Sequence, residues 1–272
     1  MGEPRNYVHG HSRATVSAHA RRSAKRFTSY VLPYIQPHHA VLDVGCGPGT
    51  ISADFAELAP SGSVTCLDAS EAVLASARAT CTERGLSNVD FVTGDVNKLP
   101  FDDGTFDVVH AHQVVIHLPE PETAMREMFR VLKQGGVLAC KDMILSSMAY
   151  HPCLSGMDAW HRALVATMRA AGADPDMGAR LKGLALAAGF AARDVKCSVG
   201  PWCFSEPDDV AWWGESVAER LTEEGGLRGK ALGTGAMSAD ELDEGARAWE
   251  QWARTDEAWF GVMNGEVICV KS

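Results

Sequence analysis

The stretch Val41-Leu42-Asp43-Val44-Gly45-Cys46-Gly47-Pro48-Gly49-Thr50 decides the fold. Its first half is short and apolar, as in a buried strand, and three glycines lead into Thr50–Leu58, which has a helical composition. A strand, a glycine turn and a helix in this order let a ligand approach bare backbone at the N-terminus of the helix. The stretch therefore predicts a ligand-binding turn at the carboxyl edge of a parallel sheet.

The spacing of the glycines indicates which ligand the turn suits. A dinucleotide loop reads G-x-G-x-x-G and would need glycine at position 50, where this chain has Thr50. The glycines lie at positions 45, 47 and 49 instead. Asp43, two residues before the first glycine, would repel a pyrophosphate but suits a cationic amino-acid group. The stretch therefore disfavours a nicotinamide or flavin dinucleotide.

Strand-like and helix-like segments alternate on both sides of this turn. The apolar segments that predict strands are residues 40–44, 63–67, 89–93, 106–111, 137–144, 192–199 and 267–270. The segments that predict helices are residues 12–35, 50–58, 70–84 (with Ser70 as N-cap), 120–132, 155–171 and 176–188. Apolar strands that alternate with helices predict a Rossmann-like α/β fold, with a seven-stranded, mostly parallel sheet covered by helices on both faces.

We expect one domain over residues 1–272, with an N-terminal cap helix within residues 1–39, a cofactor-binding core over 40–145 and a substrate side over 146–272. The substrate side holds a helical insertion of more than sixty residues before the last strand. Six of the seven tryptophans lie in it: Trp202, Trp212, Trp213, Trp249, Trp252 and Trp259. Aromatic side chains either line small-molecule pockets or fill the core, and the sequence leaves both uses open.

Charge and composition exclude several classes of function. The whole chain carries −10 and its first 39 residues carry +5, so the remainder carries −15 and would repel a nucleic acid. No apolar run approaches the roughly 20 residues of a membrane span, and no secretory leader is visible. The eight cysteines form no CxxC pair, which favours a reducing, cytoplasmic setting and gives no metal site. The oligomeric state, a homodimer included, is left open.

Three further markers follow the glycine turn at successive strand ends. Asp68 ends the second predicted strand, about 20 residues beyond the turn, where a carboxylate can accept both ribose hydroxyls. Asp95 and Val96 follow the third strand and can meet an adenine ring, although Asp95 also suits a turn. The fourth strand leads into His112 and Gln113, at the crevice where open α/β sheets bind ligands.

These markers, in this order and spacing, resemble the class I S-adenosylmethionine-dependent methyltransferases, and among them the UbiE/Coq5-like group. The matching stretches span residues 40–145. The resemblance implies S-adenosylmethionine as cofactor and a set of contacts for it: Asp43, Gly45, Cys46, Gly47 and Gly49 at the methionine part, Asp68 and Ala69 at the ribose, Asp95 and Val96 at the adenine, His112 and Gln113 near the sulfonium. Residues 7–28 resemble the front helix of such enzymes, which places Arg21 or Arg22 near the cofactor carboxylate.

The acceptor is less well defined than the cofactor. A hydroxyl or carbon acid needs a base, and His117 and His112 are the candidates by position. The alternative is that His112 hydrogen-bonds the cofactor and His117 packs under the next helix. Tyr7, His11, Trp202 and Trp213 are the substrate-side candidates. We expect the insertion to cover a small, flat, apolar acceptor, such as a quinone, a polyketide or an alkaloid-like metabolite.

Three other functions stay open. The same cofactor residues could hold S-adenosylmethionine as a positive charge during a rearrangement or cyclisation without methyl transfer. The chain could also be a methyltransferase-like regulator of secondary metabolism that acts on a protein partner. A dinucleotide oxidoreductase is disfavoured by Thr50 and Asp43.

Overall fold

The structure, a computed structural model, describes residues 22–272. Five parallel strands form the centre of its sheet, in the order β3-β2-β1-β4-β5. They are β1 (Ala40–Val44), β2 (Ser63–Asp68), β3 (Val89–Thr93), β4 (Phe106–His112) and β5 (Leu132–Met143). β1 has the predicted bounds because an apolar run ends there at a glycine turn. The order changes direction between β1 and β4, which is where such sheets open a crevice for ligands.

Three further strands complete an eight-stranded sheet within residues 22–272: β6 (Ala149–His151), β7 (Val195–Phe204) and β8 (Trp259–Val270). β8 runs antiparallel between β5 and β7, and Phe204 of β7 lies opposite Phe260 of β8. The mostly parallel sheet is confirmed, with β6 as an additional short strand. The predicted bounds of the last two strands are wrong, since β7 starts later and runs on through Pro201. Among the strands that the structure describes, β7 pairs only with β8, and an edge strand tolerates a proline.

Helices cover both faces of the sheet, as predicted. They are α1 (Ala24–Phe27), α2 (Thr50–Leu58), α3 (Glu71–Glu83), α4 (Pro121–Val131), α5 (Asp158–Ala170), α6 (Met177–Ala188), α7 (Pro207–Thr222), α8 (Gly226–Gly233) and α9 (Ala239–Trp252). Val41 packs with α2 and α3, whereas its neighbour Leu42 packs in the other apolar cluster with α4 and the C-terminal helices. Alternate residues of β1 therefore anchor opposite layers.

The predicted helix over residues 12–35 is wrong within the described part of the chain. α1 ends at Phe27, a turn follows, and Leu32–Tyr34 forms a 3-10 helix. Thr28 is the C-cap of α1, and its φ of −134° lies outside the helical region, although its backbone N–H and its Oγ1 both still donate to the carbonyl of Ala24. Residues 1–21 lie outside the described residues, and with them Tyr7, His11, Arg21 and most of the predicted cap helix.

The C-terminal helices hold two tryptophans in the core. Trp249 and Trp252 of α9 are fully buried, and their Nε1 atoms donate to the carbonyls of Met157 (3.0 Å) and His151 (2.9 Å). For these two side chains the core interpretation applies. α7, α8 and α9 all lie between β7 and β8 in the chain. No helix among residues 22–272 is long and apolar enough to cross a membrane.

Candidate functional site

The turn between β1 and α2 depends on its glycines. Gly45, Gly47 and Gly49 all have positive φ, between 57° and 76°, a region that other residues avoid. A Cβ on Gly45 would lie 2.5 Å from Val114 Cγ2, and one on Gly49 would lie 2.8 Å from Ala77 Cβ. Among the described residues, a Cβ on Gly47 would meet nothing within 4 Å. Gly45 and Gly49 therefore permit close packing, whereas Gly47 presents its backbone to open space.

That open space belongs to a cavity of about 470 Å³ at the carboxyl ends of β1, β2, β3 and β4. A cavity of this size falls in the usual range, about 300–1,000 Å³, of sites for small molecules and cofactors. The residues predicted from the sequence that line it are Asp43, Gly45, Cys46, Gly47, Asp68, Ala69, Asp95, Val96, His112, Gln113 and His117. Gly49 is not among the lining residues and packs against α3 instead. The structure thus brings ten of the eleven predicted cofactor contacts to one cavity, together with His117.

Asp68 joins the glycine turn to the end of β2. Its Oδ2 accepts a hydrogen bond from the N–H of Gly47 (3.2 Å), and its Oδ1 accepts one from the N–H of Ser70 (3.0 Å). Asp95 lies at the end of β3, where its Oδ1 accepts hydrogen bonds from the backbone N–H (2.8 Å) and Nδ2 (3.1 Å) of Asn97. Asp95 therefore both stabilises this turn and lines the cavity.

Asp43 is buried and its carboxylate has two protein partners. Oδ1 lies 2.8 Å from Nδ1 of His110, and Oδ2 accepts a short hydrogen bond from the Ser52 hydroxyl. His110 lines the cavity, and its Nε2 has no hydrogen-bond partner among the described residues. Sequence analysis did not select His110 as a site residue. The two-residue spacing from His112 was the available signal, since it places both rings on one face of β4, where they stack at 6.2 Å.

Of the two candidate catalytic histidines, His112 is buried and His117 is half-buried, and both are neutral near pH 7. Burial lowers the pKa of His112 well below its usual value, and the positive charges of Arg22 and Lys141 act in the same direction. Burial also lowers the pKa of His117, to about 3, with further repulsion from Arg22 and Lys230. Neither ring nitrogen of His112 has a hydrogen-bond partner among the described residues. A neutral imidazole keeps one lone pair that can accept a proton or a hydrogen bond.

Gln113 holds the end of β4 in an unusual backbone conformation. It has a φ of 57°, and no other non-glycine residue among those described has a positive φ. Its N–H donates to the carbonyl of Lys141 (2.8 Å), and its Nε2 donates to Oδ1 of Asn264 on β8 (2.7 Å). Asn264, which sequence analysis missed, is fully buried and donates in turn to the carbonyl of Gly200. Strain of this kind persists where the surroundings fix it, commonly at functional sites.

Asp142, another residue that sequence analysis did not select, lies beneath the 3-10 helix Val115–His117. Its Oδ1 accepts a hydrogen bond from the N–H of Ile116 (3.3 Å), and burial raises the pKa of its carboxyl well above the usual value. Burial therefore favours the protonated form of this carboxyl group. It supports the turn that carries His117 into the cavity.

A second, smaller pocket adjoins the large cavity. It measures about 50 Å³ and shares Arg22, Gln113 and His117 with the large cavity. We call it the indole pocket, after its three tryptophans. Its other lining residues are Ile116, Met143, Leu145, Trp160, Leu164, Met168, Trp202, Trp213 and Arg220. Trp202 and Trp213 were predicted on the substrate side, and the third tryptophan, Trp160 of α5, was missed.

Comparisons with known proteins show what the chain is similar to. The family described as "Methyltransferase domain" matches residues 42–140. An uncharacterized methyltransferase of Schizosaccharomyces pombe is 30% identical over 97% of this chain and 96% of its own length. A probable methyltransferase of Aspergillus luteorubrus is 32% identical over 99% of both chains. A demethylmenaquinone methyltransferase of Listeria monocytogenes is 43% identical, over 40% of this chain and 46% of its own.

Solved structures share the fold. The YcgJ protein from Bacillus subtilis superposes with a TM-score of 0.59 at 18% identity, over 91% of this chain and 98% of its own. The [4+2]-cyclase SpnF superposes with a TM-score of 0.53 at 24% identity, over 90% of this chain and 84% of its own. At these identities the likeness concerns the fold alone.

Proposed function

Because this chain belongs to the class I S-adenosylmethionine-dependent methyltransferases, we propose that it transfers a methyl group to a small, apolar or aromatic acceptor. The observation that carries the proposal is the junction of two cavities. One has the size and position of a cofactor site, and the other is smaller and mostly apolar. Arg22, Gln113 and His117 belong to both, so a ligand in one meets a ligand in the other at these side chains.

The residues of the large cavity fit the cofactor. Asp68 would accept hydrogen bonds from the ribose hydroxyls, and Asp95 with Val96 would hold the adenine. Gly45, Cys46 and Gly47 would lie along the methionine part, where the backbone of Gly47 already faces open space. Arg22 lines the same cavity and would meet the cofactor carboxylate.

The electrostatics near the end of β4 suit a sulfonium cation. When bound, the cofactor supplies an electrophilic methyl group on that cation, and its sulfur leaves as a neutral thioether. His112 and His117 would repel the cation if they were protonated. Burial lowers the pKa of both, so they are neutral when the cofactor binds. Gln113, fixed by Asn264 and by Lys141, would position the acceptor in line with the methyl group.

The indole pocket supports the class of the acceptor. Apolar side chains such as Met143, Leu164 and Met168 form much of its wall. A small, partly apolar molecule would lose its water there and approach the methyl group closely, as transfer requires. The acidic charge of the chain beyond its first 39 residues argues against a nucleic acid as the acceptor.

The proposal is tested by incubating the purified protein with S-adenosylmethionine and a panel of quinones, aromatic polyketides and alkaloids. We expect stoichiometric S-adenosylhomocysteine and a product heavier by one methylene. Conversion of an acceptor without S-adenosylhomocysteine would support the rearrangement alternative and contradict methyl transfer. Methylation of a protein partner, with no small molecule of the panel consumed, would support the regulatory alternative.

The contact between Gly47 and the cofactor makes a prediction of its own. Gly47→Ala and Gly85→Ala both place a Cβ in open space at a positive φ, 57° and 69°. Each is expected to lower the free energy of unfolding by about 1–2 kcal/mol, because the strain is the same. Only Gly47→Ala should also weaken S-adenosylhomocysteine binding, by about tenfold, or about 1.4 kcal/mol. Calorimetric titration that finds equal affinities for the two variants would contradict the contact.

The role of His117 as a base also remains a prediction. With a pKa of about 3 this imidazole is a weak base, so it would accept a proton that becomes strongly acidic as the oxygen–carbon bond forms. His117→Ala is expected to lower kcat for a hydroxyl or carbon-acid acceptor by about 10²-fold, the usual contribution of a general base. His161→Ala, on α5, is the matched control. Near-normal turnover of His117→Ala with unchanged S-adenosylhomocysteine affinity would rule out the role.

A further inference from the structure

The polar groups around the indole pocket are nearly all hydrogen-bond donors. Three indole N–H groups come from Trp160, Trp202 and Trp213, and two guanidinium groups come from Arg22 and Arg220. The other polar lining residues are Gln113, whose amide is bonded to Asn264, and His117. Among the described residues, no aspartate or glutamate lines the pocket. An occupant of such a pocket must supply acceptors.

The three indole N–H groups have no protein acceptor among residues 22–272. Trp160, Trp202 and Trp213 are only 1%, 5% and 4% exposed, so these side chains have little contact with bulk solvent. Buried donors are paired in the large majority of cases, and an unpaired one is costly. The neighbouring Trp249 and Trp252 follow that rule, since each donates to a backbone carbonyl. The difference between the two sets of tryptophans indicates a place for oxygen atoms of a ligand.

Positive charge accompanies the donors. The Arg22 guanidinium carbon lies 5.2 Å from the centroid of the Trp202 ring, and that of Arg220 lies 5.9 Å from the Trp213 ring. Arg220 is buried on α7, two helical turns after Trp213 and on the same face. Charges in a poorly solvated site act more strongly than at the surface. Among the described residues that line the pocket, the two charged side chains, Arg22 and Arg220, are therefore both cationic, in a chain with a net charge of −10.

We propose that the methyl acceptor carries an anionic oxygen, a carboxylate or a phenolate, which binds in the indole pocket through the Trp202 and Trp213 N–H groups and the two guanidinium groups. This inference rests on the proposed function and specifies its substrate class. A pocket of about 50 Å³ has room for a few heavy atoms, as in a carboxylate and the carbon that bears it. The rest of the acceptor would extend past Gln113 and His117 towards the cofactor.

Binding of small probes tests the proposal without any turnover. Benzoate, benzyl alcohol and benzylamine share one ring and differ in charge, and each is titrated into the full-length protein saturated with S-adenosylhomocysteine. We expect benzoate to bind at least tenfold more tightly than benzyl alcohol and benzylamine. Equal affinity for the three probes, or tighter binding of the amine, would overturn the proposal.

The indole signals of ¹⁵N-tryptophan-labelled protein locate the bound anion. Benzoate should shift the signals of Trp202 and Trp213, and leave those of Trp249 and Trp252 unmoved because these N–H groups are already bonded. Single Trp→Phe variants assign the signals. Saturating benzoate that leaves the Trp202 and Trp213 signals in place would overturn the proposal.

Trp→Phe variants distinguish the contribution of the indole N–H group from that of the aromatic ring. Trp202→Phe and Trp213→Phe keep an aromatic wall but lose one N–H each, so benzoate should bind about five- to tenfold more weakly to each. Benzyl alcohol should change less than twofold. Trp259→Phe is the matched control, because Trp259 is 41% exposed and does not line the pocket. A loss of benzoate affinity in Trp259→Phe equal to that in Trp202→Phe would contradict the assignment.

Failure of this inference differs from failure of the proposed function. If neutral aromatic acceptors are methylated and benzoate neither binds nor shifts the indole signals, the enzyme is a methyltransferase without an anion site. If benzoate binds as described and no acceptor of the panel is methylated, the anion site stands and the proposed function fails.

Discussion

Asp68→Ala is expected to weaken S-adenosylhomocysteine binding by about 10²-fold or more. A carboxylate that accepts hydrogen bonds from both ribose hydroxyls contributes about 1.5–3 kcal/mol per bond, and 1.4 kcal/mol corresponds to a factor of ten. The same carboxylate accepts from the N–H groups of Gly47 and Ser70, so its removal also loosens the glycine turn. Calorimetric titration measures the affinity, and denaturant unfolding without ligand measures the stability change separately.

Two comparisons make this prediction specific. Asp90→Ala is the matched control, because Asp90 is exposed on β3 and does not line the large cavity. Asp68→Asn keeps one acceptor oxygen and should lose less affinity than Asp68→Ala. If Asp68→Ala binds S-adenosylhomocysteine within threefold of the unmodified protein, the ribose assignment is wrong.

The free energy of unfolding is expected to depend on pH in two opposite directions, rising with pH through His112 and His117 and falling with pH through Asp142. Burial lowers the pKa of His112 and His117 in the folded protein. As the pH falls below about 6.5, the unfolded chain therefore binds protons at these histidines before the folded protein does, and the free energy of unfolding decreases. Burial raises the pKa of Asp142, so above the unfolded pKa of about 4 the unfolded chain loses a proton that the folded protein holds more tightly. The contribution of Asp142 to stability therefore falls as the pH rises.

The expected slopes follow from the number of protons. Each proton bound by one state and not by the other changes the free energy of unfolding by about 1.4 kcal/mol per pH unit. On the acid side two histidines act against one carboxyl, so the net slope is about 1.4 kcal/mol per pH unit. Asp142 alone gives a similar slope of opposite sign on the alkaline side. Urea unfolding at half-unit pH intervals measures both. Asp142→Asn should flatten the alkaline side and steepen the acid side, and His112→Gln should flatten the acid side. A curve of unchanged shape in Asp142→Asn would contradict the buried, protonated carboxyl.

Local sequence was enough to predict the centre of the fold and most of the cofactor cavity. β1 and α2 have the predicted bounds, because apolar periodicity and a glycine turn delimit them within ten residues. Asp68, Asp95 and His112 meet at one cavity, because the carboxyl ends of parallel strands share one edge of the sheet. These inferences needed parallel strands, which the alternation of segments predicts, and the resemblance to class I methyltransferases, which implies the contacts.

Residues that act through distant partners could not be predicted in the same way. The hydrogen bond between Gln113 and Asn264 joins residues 151 apart in the chain, and the contact between Asp43 and His110 joins residues 67 apart. The indole N–H of Trp249 donates to the carbonyl of Met157, whereas that of Trp202 has no acceptor among the described residues. Only the packing of α5, α7 and α9 against β7 and β8 decides between them.

The position of α7, α8 and α9 in the β7–β8 hairpin has a consequence for how acceptor preference can diversify. The chain leaves the sheet after Phe204 and returns at Trp259, and Phe204 lies directly opposite Phe260 in the hairpin. A segment whose two ends are neighbours in a hairpin can be lengthened, shortened or exchanged while the strand order stays the same. Trp213 and Arg220 belong to this exchangeable segment, whereas the glycine turn and Asp68 do not. Chimeras in which this segment is exchanged between relatives should exchange their acceptor preference and keep their cofactor binding.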